Sequence, residues 1–273
     1  MTVDVPDKRE AVGLIPAAGS GRRIAPLPCS KELYPIGFRR DEGTGTLRPA
    51  VVSAHWLDKL RAAGIRKAFI VLRDGKWDIP SYFCDGANFG IDLAYVVIRD
   101  SIGPPDTVDR AYPFITDCQV AFGFPDILCG PDDLFERLRS GQRRSNADLV
   151  LGLFKAPDCR LADMVDVDSD GCVGRIVLKP ARSSLRYTWT CAVWTPTFTR
   201  FLQLFMARER AKTGSRNYGE IDPSGDLPVG AVIEGAIAAG LHVHGVAFPN
   251  ESYIDIGTPD NLVAAAREFV RSL

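Results

Sequence analysis

Apolar, β-branched runs alternate with amphipathic stretches through the first half of the chain. They fall in the order Val12 to Pro16, Ala50 to Ala63, Ala68 to Leu72, Leu93 to Ile98, Thr107 to Ile115 and Gln119 to Phe124. Strand-like and helix-like periods in turn are the mark of βαβ units, so this half predicts a mostly parallel sheet. Gly64, directly after Leu60, Arg61, Ala62 and Ala63, fits a helix C-cap and supports a helix ending just before it.

The pattern changes at Asp148. Closely spaced strands are predicted at Leu149 to Phe154, Met164 to Val167, Val173 to Val177 and Tyr187 to Trp194, separated by turn signals such as Asp170-Gly171. They imply a smaller, partly antiparallel section. Helical periodicity returns at Thr197 to Ala211, Val229 to Ala239 and Pro259 to Ser272, while Lys212 to Asp226, rich in Gly, Ser, Asn and charge, predicts a mobile surface loop. No internal repeat or low-complexity tract interrupts the chain. A single α/β domain over residues 1–273 is therefore expected, with halves of about 1–147 and 148–273.

With 273 residues, 46% of them hydrophobic, the chain can fill a sizeable core without covalent staples. The formal charge of -1 offers no global field for nucleic acid or an anionic membrane, so any basic site must be local. Cys29, Cys84, Cys118, Cys129, Cys159, Cys172 and Cys191 are scattered and form no C-x-x-C pair, which predicts reduced thiols in a cytoplasm. The first ten residues are polar and mixed in charge, and no apolar run approaches the ~20 residues that cross a bilayer. The expectation is a soluble, cytoplasmic protein without nucleic-acid or membrane partners. Homo-oligomerisation is left open.

The chemistry concentrates after the first strand. Leu14-Ile15-Pro16-Ala17-Ala18-Gly19-Ser20-Gly21-Arg22-Arg23 is followed by Pro26 and by Ser30-Lys31-Glu32-Leu33. An apolar strand running into small residues lets bare backbone approach phosphates, and its amides supply an anion nest. A dinucleotide fingerprint would want glycine where Ile24 stands, and a P-loop would close on Gly-Lys-Ser/Thr; neither is present.

Three further motifs follow in order: Ala121-Phe122-Gly123-Phe124-Pro125-Asp126-Ile127-Leu128, Val177-Leu178-Lys179-Pro180, and Ser252-Tyr253-Ile254-Asp255-Ile256-Gly257-Thr258-Pro259. Together with the glycine-rich loop they resemble the sugar-phosphate nucleotidyltransferases, especially the glucose-1-phosphate thymidylyltransferase branch, over nearly the whole chain. The resemblance implies a Rossmann-like central mixed, mostly parallel sheet with flanking helices and a small antiparallel section. It also implies transfer of a nucleoside monophosphate from an NTP to a sugar 1-phosphate or similar phosphorylated acceptor, with release of pyrophosphate. On this likeness Ala17, Ala18, Gly19, Ser20 and Gly21 cradle the triphosphate, and Arg23 and Lys31 stabilise the leaving group and developing charge. Lys179 orients the acceptor phosphate, and Asp126 and Asp255 hold Mg²⁺. The first half then binds nucleotide and the second half the acceptor. An ionised phosphate is already nucleophilic, so no general base is required.

The family pattern breaks in places. Gly103-Pro104-Pro105-Asp106-Thr107-Val108-Asp109-Arg110-Ala111 keeps the placement of the family's base-recognition segment without its residues, which puts Asp106 and Thr107 beside the nucleotide by position alone. Ala162-Asp163 replaces a Tyr-Gly and Trp189-Thr190-Cys191 a Val-Thr-Gly, which makes Asp163 and Thr190 acceptor-binding candidates. Leu178 stands where the family has an acid. A charged, Gly-rich insertion around Arg39 to Leu47 reads equally as a lid or a longer turn.

His242 and His244 share a strand face without a third ligand, Asp166, Asp168 and Asp170 lack a calcium-loop spacing, and Trp189 and Trp194 read as packing residues. Two rival readings are a non-catalytic nucleotide-sugar sensor on the same fold and a nicotinamide-dependent oxidoreductase.

Overall fold

The computed structural model describes residues 9–40, 44–213 and 227–271. The first strand, β1 (Ala11–Ala17), leads through 3-10 turns at Arg22–Ile24 and Lys31–Leu33 into a hairpin, β2 (Pro35–Arg40) and β3 (Leu47–Val51). There follow α1 (Ala54–Ala62), β4 (Lys67–Arg73), α2 (Asp78–Phe83), β5 (Asp92–Ile98), α3 (Pro104–Asp109), α4 (Tyr112–Ile115) and β6 (Gln119–Gly123). The remainder is β7 (Ile127–Cys129), α5 (Leu134–Ser145), β8 (Leu149–Lys155), β9 (Met164–Val167), β10 (Val173–Val177), β11 (Tyr187–Trp194), α6 (Pro196–Thr213), α7 (Val229–Ala238), β12 (Val243–Ala247), β13 (Tyr253–Asp255) and α8 (Pro259–Arg271).

A nine-stranded sheet runs in the order β10-β9-β11-β6-β1-β4-β5, with β8 on β11 and β12 on β8. Strands β5, β4, β1 and β6 are parallel, as the alternation of strand and helix requires. Strand β11 pairs antiparallel with β6, β8 and β9, so the antiparallel section is spliced into the same sheet rather than standing as a separate one. Both faces are covered. Phe122, Trp189 and Trp194 pack under α3, α6 and α7, while Trp56, Leu57, Phe135 and Leu138 pack from α1 and α5 on the other side. Two-sided burial explains why the central strands read as continuous apolar runs. Each fully buried large side chain contributes about 1.5–3 kcal/mol.

Two expected helices differ. Ala50 to Ala63 divides into the end of β3 and α1, because Ala50 and Val51 are paired with Gly37 and Pro35. Thr107 to Ile115 is two short helices, since Pro113, in the first turn of α4, has no N–H to offer the preceding turn. Gly64 caps α1 as expected: its N–H reaches Arg61 O at 3.0 Å and Ile65 N–H reaches Leu60 O at 3.0 Å. Of the insertion around Arg39 to Leu47, Arg39 and Arg40 end β2 and Leu47 opens β3, with Arg39 opposite Arg48 and Arg40 opposite Leu47, while residues 41–43 lie outside the described residues. Of the expected 212–226 loop, Lys212 and Thr213 are the last residues of α6, and residues 214–226 lie outside the described residues. Among the described residues no helix is long and apolar enough to cross a membrane, and all seven cysteines are free.

Candidate active site

Strand β1 ends at Ala17, followed by Ala18, both buried at the carboxyl end of this interior strand, and the chain then surfaces at Gly19 and Ser20. Gly21 has φ +64, the left-handed region that favours glycine, and this turns the chain into Arg22–Ile24. A side chain at Gly19 would meet only Lys31, with Nζ at 3.6 Å and Cε at 3.7 Å. The loop therefore presents bare backbone beside a cation.

A small ladder brings the two expected metal ligands together. β13 pairs antiparallel with β7, setting Asp255 opposite Ile127, and Ile256 N–H donates to Asp126 O at 3.0 Å. Beneath it Ile36, Val52, Leu128, Ile256 and Ala265 form a separate apolar cluster that fixes hairpin, ladder and α8 to one another. Lys31 Nζ forms an ion pair with Asp126 Oδ2, both largely shielded from solvent. Burial would lower the Lys31 ammonium, but the charges of Asp126 and Glu32 outweigh it and the pKa rises. Burial and then the neighbouring Asp126 charge push the Asp255 carboxyl up, against a 2.8 Å hydrogen bond from Gly257 N–H. Arg23 completes the group: a Cβ at Gly257 would lie 2.8 Å from Arg23 Nη2 and 2.8 Å from Asp255 Oδ1.

Among the described residues no three His, Cys, Asp or Glu side chains gather into a metal cage. Two adjacent carboxylates, repelling one another and offering only oxygen, nevertheless suit Mg²⁺, which keeps waters and takes its remaining ligands from substrate phosphates.

A second pair of contacts, not foreseen from the sequence, braces Lys31 from behind. Glu32 is 1% exposed, and Lys76 Nζ donates to Glu32 Oε1 and Oε2, each at 2.8 Å, and to Ala17 O at 2.8 Å. Burial raises the Glu32 carboxyl and lowers the Lys76 ammonium, each opposed by the partner's charge. Ser30 donates to Asp78 through N–H at 2.6 Å and Oγ at 2.8 Å. Asp74-Gly75-Lys76 reads in sequence as an ordinary polar turn, and nothing in it points back to Glu32.

The remaining candidates lie elsewhere. Asp106 is 0% exposed and accepts from Arg210 Nε at 2.8 Å, while Thr107 Oγ1 lies 2.8 Å from Ser101 Oγ. Both side chains turn into the fold instead of toward a ligand, because α3 buries that face against α6. Gly103, ahead of them, is packed against the chain just before α7: a side chain there would strike Leu227 O at 2.5 Å. Lys179 follows β10 with φ +37, beside Asp163, whose carboxyl is raised by burial and lowered by the Lys179 charge, the first prevailing. Asp163 packs against Gly230 at the start of α7. Thr190 is 1% exposed. It is the unpaired residue of a β-bulge, between Trp189 opposite Leu153 and Cys191 opposite Gly152, and is buried in the sheet. Trp189 and Trp194 are core residues, Trp194 Nε1 donating to Thr199 Oγ1 at 2.9 Å.

A mixed sheet with a glycine-rich loop at the end of β1 and two carboxylates joined by a short ladder defines the nucleotide-diphospho-sugar transferase fold. Solved structures carry it over almost the entire chain. A glucose-1-phosphate thymidylyltransferase from Bacillus anthracis, in complex with sucrose, superposes with TM-score 0.76 at 17% identity, covering 95% of each chain. A UDP-glucose pyrophosphorylase complexed with UDP-glucose gives TM-score 0.76 at 15% identity, covering 97% of this chain and 100% of the other. The inositol-1-phosphate CTP transferase of T. maritima gives 0.67 at 18% identity, covering 95% and 97%.

In sequence the chain is similar to the glucose-1-phosphate thymidylyltransferase of Streptomyces antibioticus, 28% identical over 171 residues, which is 61% of this chain and 44% of the relative. It is also similar to a low-salt glycan biosynthesis nucleotidyltransferase of Haloferax volcanii, 24% identical over 173 residues, 62% of this chain and 44% of the relative. The motif resemblance to sugar-phosphate nucleotidyltransferases is thus met by relatives of that kind. The chain spans about 44% of the length of these curated relatives. No protein-family profile matches the chain.

Proposed function

We propose that this protein is a nucleotidyltransferase that moves a nucleoside monophosphate from an NTP to a sugar 1-phosphate or similar phosphorylated acceptor, releasing pyrophosphate. The observation that carries the reading is the meeting of Arg23, Lys31, Asp126 and Asp255, from three separated segments, beside the bare backbone at Gly19. Phosphoryl transfer asks for positioning and charge neutralisation rather than covalent catalysis, and this group supplies both signs of charge.

In this reading the amides of residues 17–21 hold the triphosphate, and Arg23 neutralises charge on the departing pyrophosphate. Lys31 leaves its pairing with Asp126 to meet the phosphate charge that develops. Lys179 binds the acceptor phosphate, with Asp163 beside it at the acceptor end. The first half of the chain serves the nucleotide and the second half the acceptor, within one domain. Asp126 and Asp255 would hold Mg²⁺, which would supply Lewis-acid charge to the substrate phosphates. Asp106 and Thr107 act indirectly, by holding α3 in place through Arg210 and Ser101.

Relatives and structural neighbours with nucleotidyltransferase names support this assignment. Asp126→Asn removes a ligand and its charge, so pyrophosphate release should fall about a hundredfold or more while the melting temperature is kept. EDTA should abolish turnover. Full activity in EDTA, or in Asp126→Asn, would contradict the proposal.

A further inference from the structure

The turn that carries Lys31 is held by one short segment on the far side of β4. Ser30 and Glu32, the residues flanking Lys31, both bond to residues 76–78: Ser30 to Asp78 and Glu32 to Lys76. The same Lys76 ammonium donates at 2.8 Å to Ala17 O, the last carbonyl of β1 before the glycine-rich loop. Its three donors are thereby matched to three acceptors. Glu32 is fixed at its backbone as well, its carbonyl accepting from Ser53 N–H at 3.1 Å and Ser53 Oγ at 2.6 Å. Lys31, between the two anchored residues, reaches Asp126 and stands beside Gly19.

β4 is also the parallel neighbour of β1, with Leu72 opposite Ala17. The segment after β4 therefore measures the distance between the phosphate loop and the Lys31 turn from a rigid strand.

We propose that Lys76, Glu32 and Asp78 are positioning residues that fix Lys31 against the phosphate loop, an inference that rests on Lys31 meeting substrate phosphate. None of the three needs to touch substrate. Lys76 and Glu32 neutralise one another, so they add geometry without adding net charge to the site. A lysine has four rotatable carbons and acts as a point charge, so its aim is set by where its backbone is held. Anchoring both neighbours supplies that aim.

The test is a thermodynamic cycle read with inorganic tripolyphosphate and MgCl₂ by calorimetry, which needs neither the base nor the acceptor to be known. Removing only one member of the buried pair strands a charge, so the pair is changed together as Glu32→Gln with Lys76→Met; Asp78→Ala, at a partly exposed site, is the second variant should that double change fail to fold. Lys31→Met should weaken tripolyphosphate binding about tenfold, and each clamp variant several-fold, roughly fivefold, with circular dichroism unchanged. In the Lys31→Met background the clamp changes should add less than about twofold, because the residue they position is gone. Wild-type affinity in the clamp variants overturns the proposal. So does full additivity with Lys31→Met, which marks a merely structural role. If Lys31→Met itself binds like the wild type, the phosphate role of Lys31 falls first and the positioning role falls with it.

Discussion

At the residue scale the site depends on what Gly19 lacks. Its φ is not in the left-handed region, and an added methyl would meet only the end of Lys31, so the ligand-free fold has room for it. Gly19→Ala should therefore keep the melting temperature and weaken NTP binding by about tenfold, equivalent to about 1.4 kcal/mol. Calorimetric titration against NTP checks this, and unchanged affinity would show that phosphate does not approach there. Gly21→Ala is a different experiment, since its φ of +64 adds about 1–2 kcal/mol of backbone strain to any loss of binding.

Arg23, Lys31, Asp126 and Asp255 each sit in a short motif of fixed spacing, which is what makes them visible in sequence as a group that the fold then brings together. Glu32 and Lys76 are not visible there: a buried ion pair between distant turns leaves no periodic or local mark. The inward side chains of Asp106, Thr107 and Thr190 leave no sequence mark for a related reason. Placement in a likeness locates the backbone, whereas Arg210 and a bulge in β11 decide where the side chains point.

At the scale of elements, the ladder of β7 and β13 is pinned from behind by α1. His55 Nε2 lies 2.7 Å from Cys129 O, the distance of an N–H donor, and Lys59 Nζ donates to Pro131 O at 2.6 Å. Burial, followed by the Lys59 charge, lowers the His55 pKa from 6.5 to about 4. A depressed folded-state pKa means that the unfolded chain takes up the proton first. The contribution is complete above pH 6.5 and is lost as pH falls toward 4. It is on the order of 3 kcal/mol. Urea denaturation should show the wild type losing stability between those limits, and His55→Gln should flatten that part of the profile. An unchanged pH slope in the variant would place the titration elsewhere.

The strands β9, β10 and β11 were legible to the residue because turn signals such as Asp170-Gly171 bound runs of β-branched residues. The hairpin of β2 and β3 was hidden by Pro35, Pro49 and a run of arginines on exposed positions, and β7 and β13, three residues each, are too short to show a period.

At the scale of the whole molecule, Arg210 ties α6 to α3. Its guanidinium reaches Asp106 at 2.8 Å and Asp109 at 2.6 Å, carboxylates that are 0% and 6% exposed as residues. Arg210→Met takes the guanidinium from Asp109 and leaves Asp106 only Arg110 Nη2 at 3.5 Å and Ile102 N–H at 3.2 Å; a lost buried partner costs roughly 3 kcal/mol, and Asp106→Asn with Asp109→Asn should restore part of it. Thermal unfolding of the single and combined variants checks this; equal melting temperatures would mean that the network is not structural.

The parallel direction of the strands followed from strand and helix alternation in the first half. The splice through β11 did not, since antiparallel strands can close a second sheet or extend the first, and only the pairing of Ala192 with Phe122 and Leu151 decides it.

The central claim is tested most directly by incubating the protein with Mg²⁺, each common NTP in turn and a panel of sugar 1-phosphates, reading pyrophosphate. The account predicts release that requires both substrates, matched one for one by a nucleoside diphosphate-linked product. A folded protein that binds NTP yet releases no acceptor-dependent pyrophosphate from any pairing would contradict it.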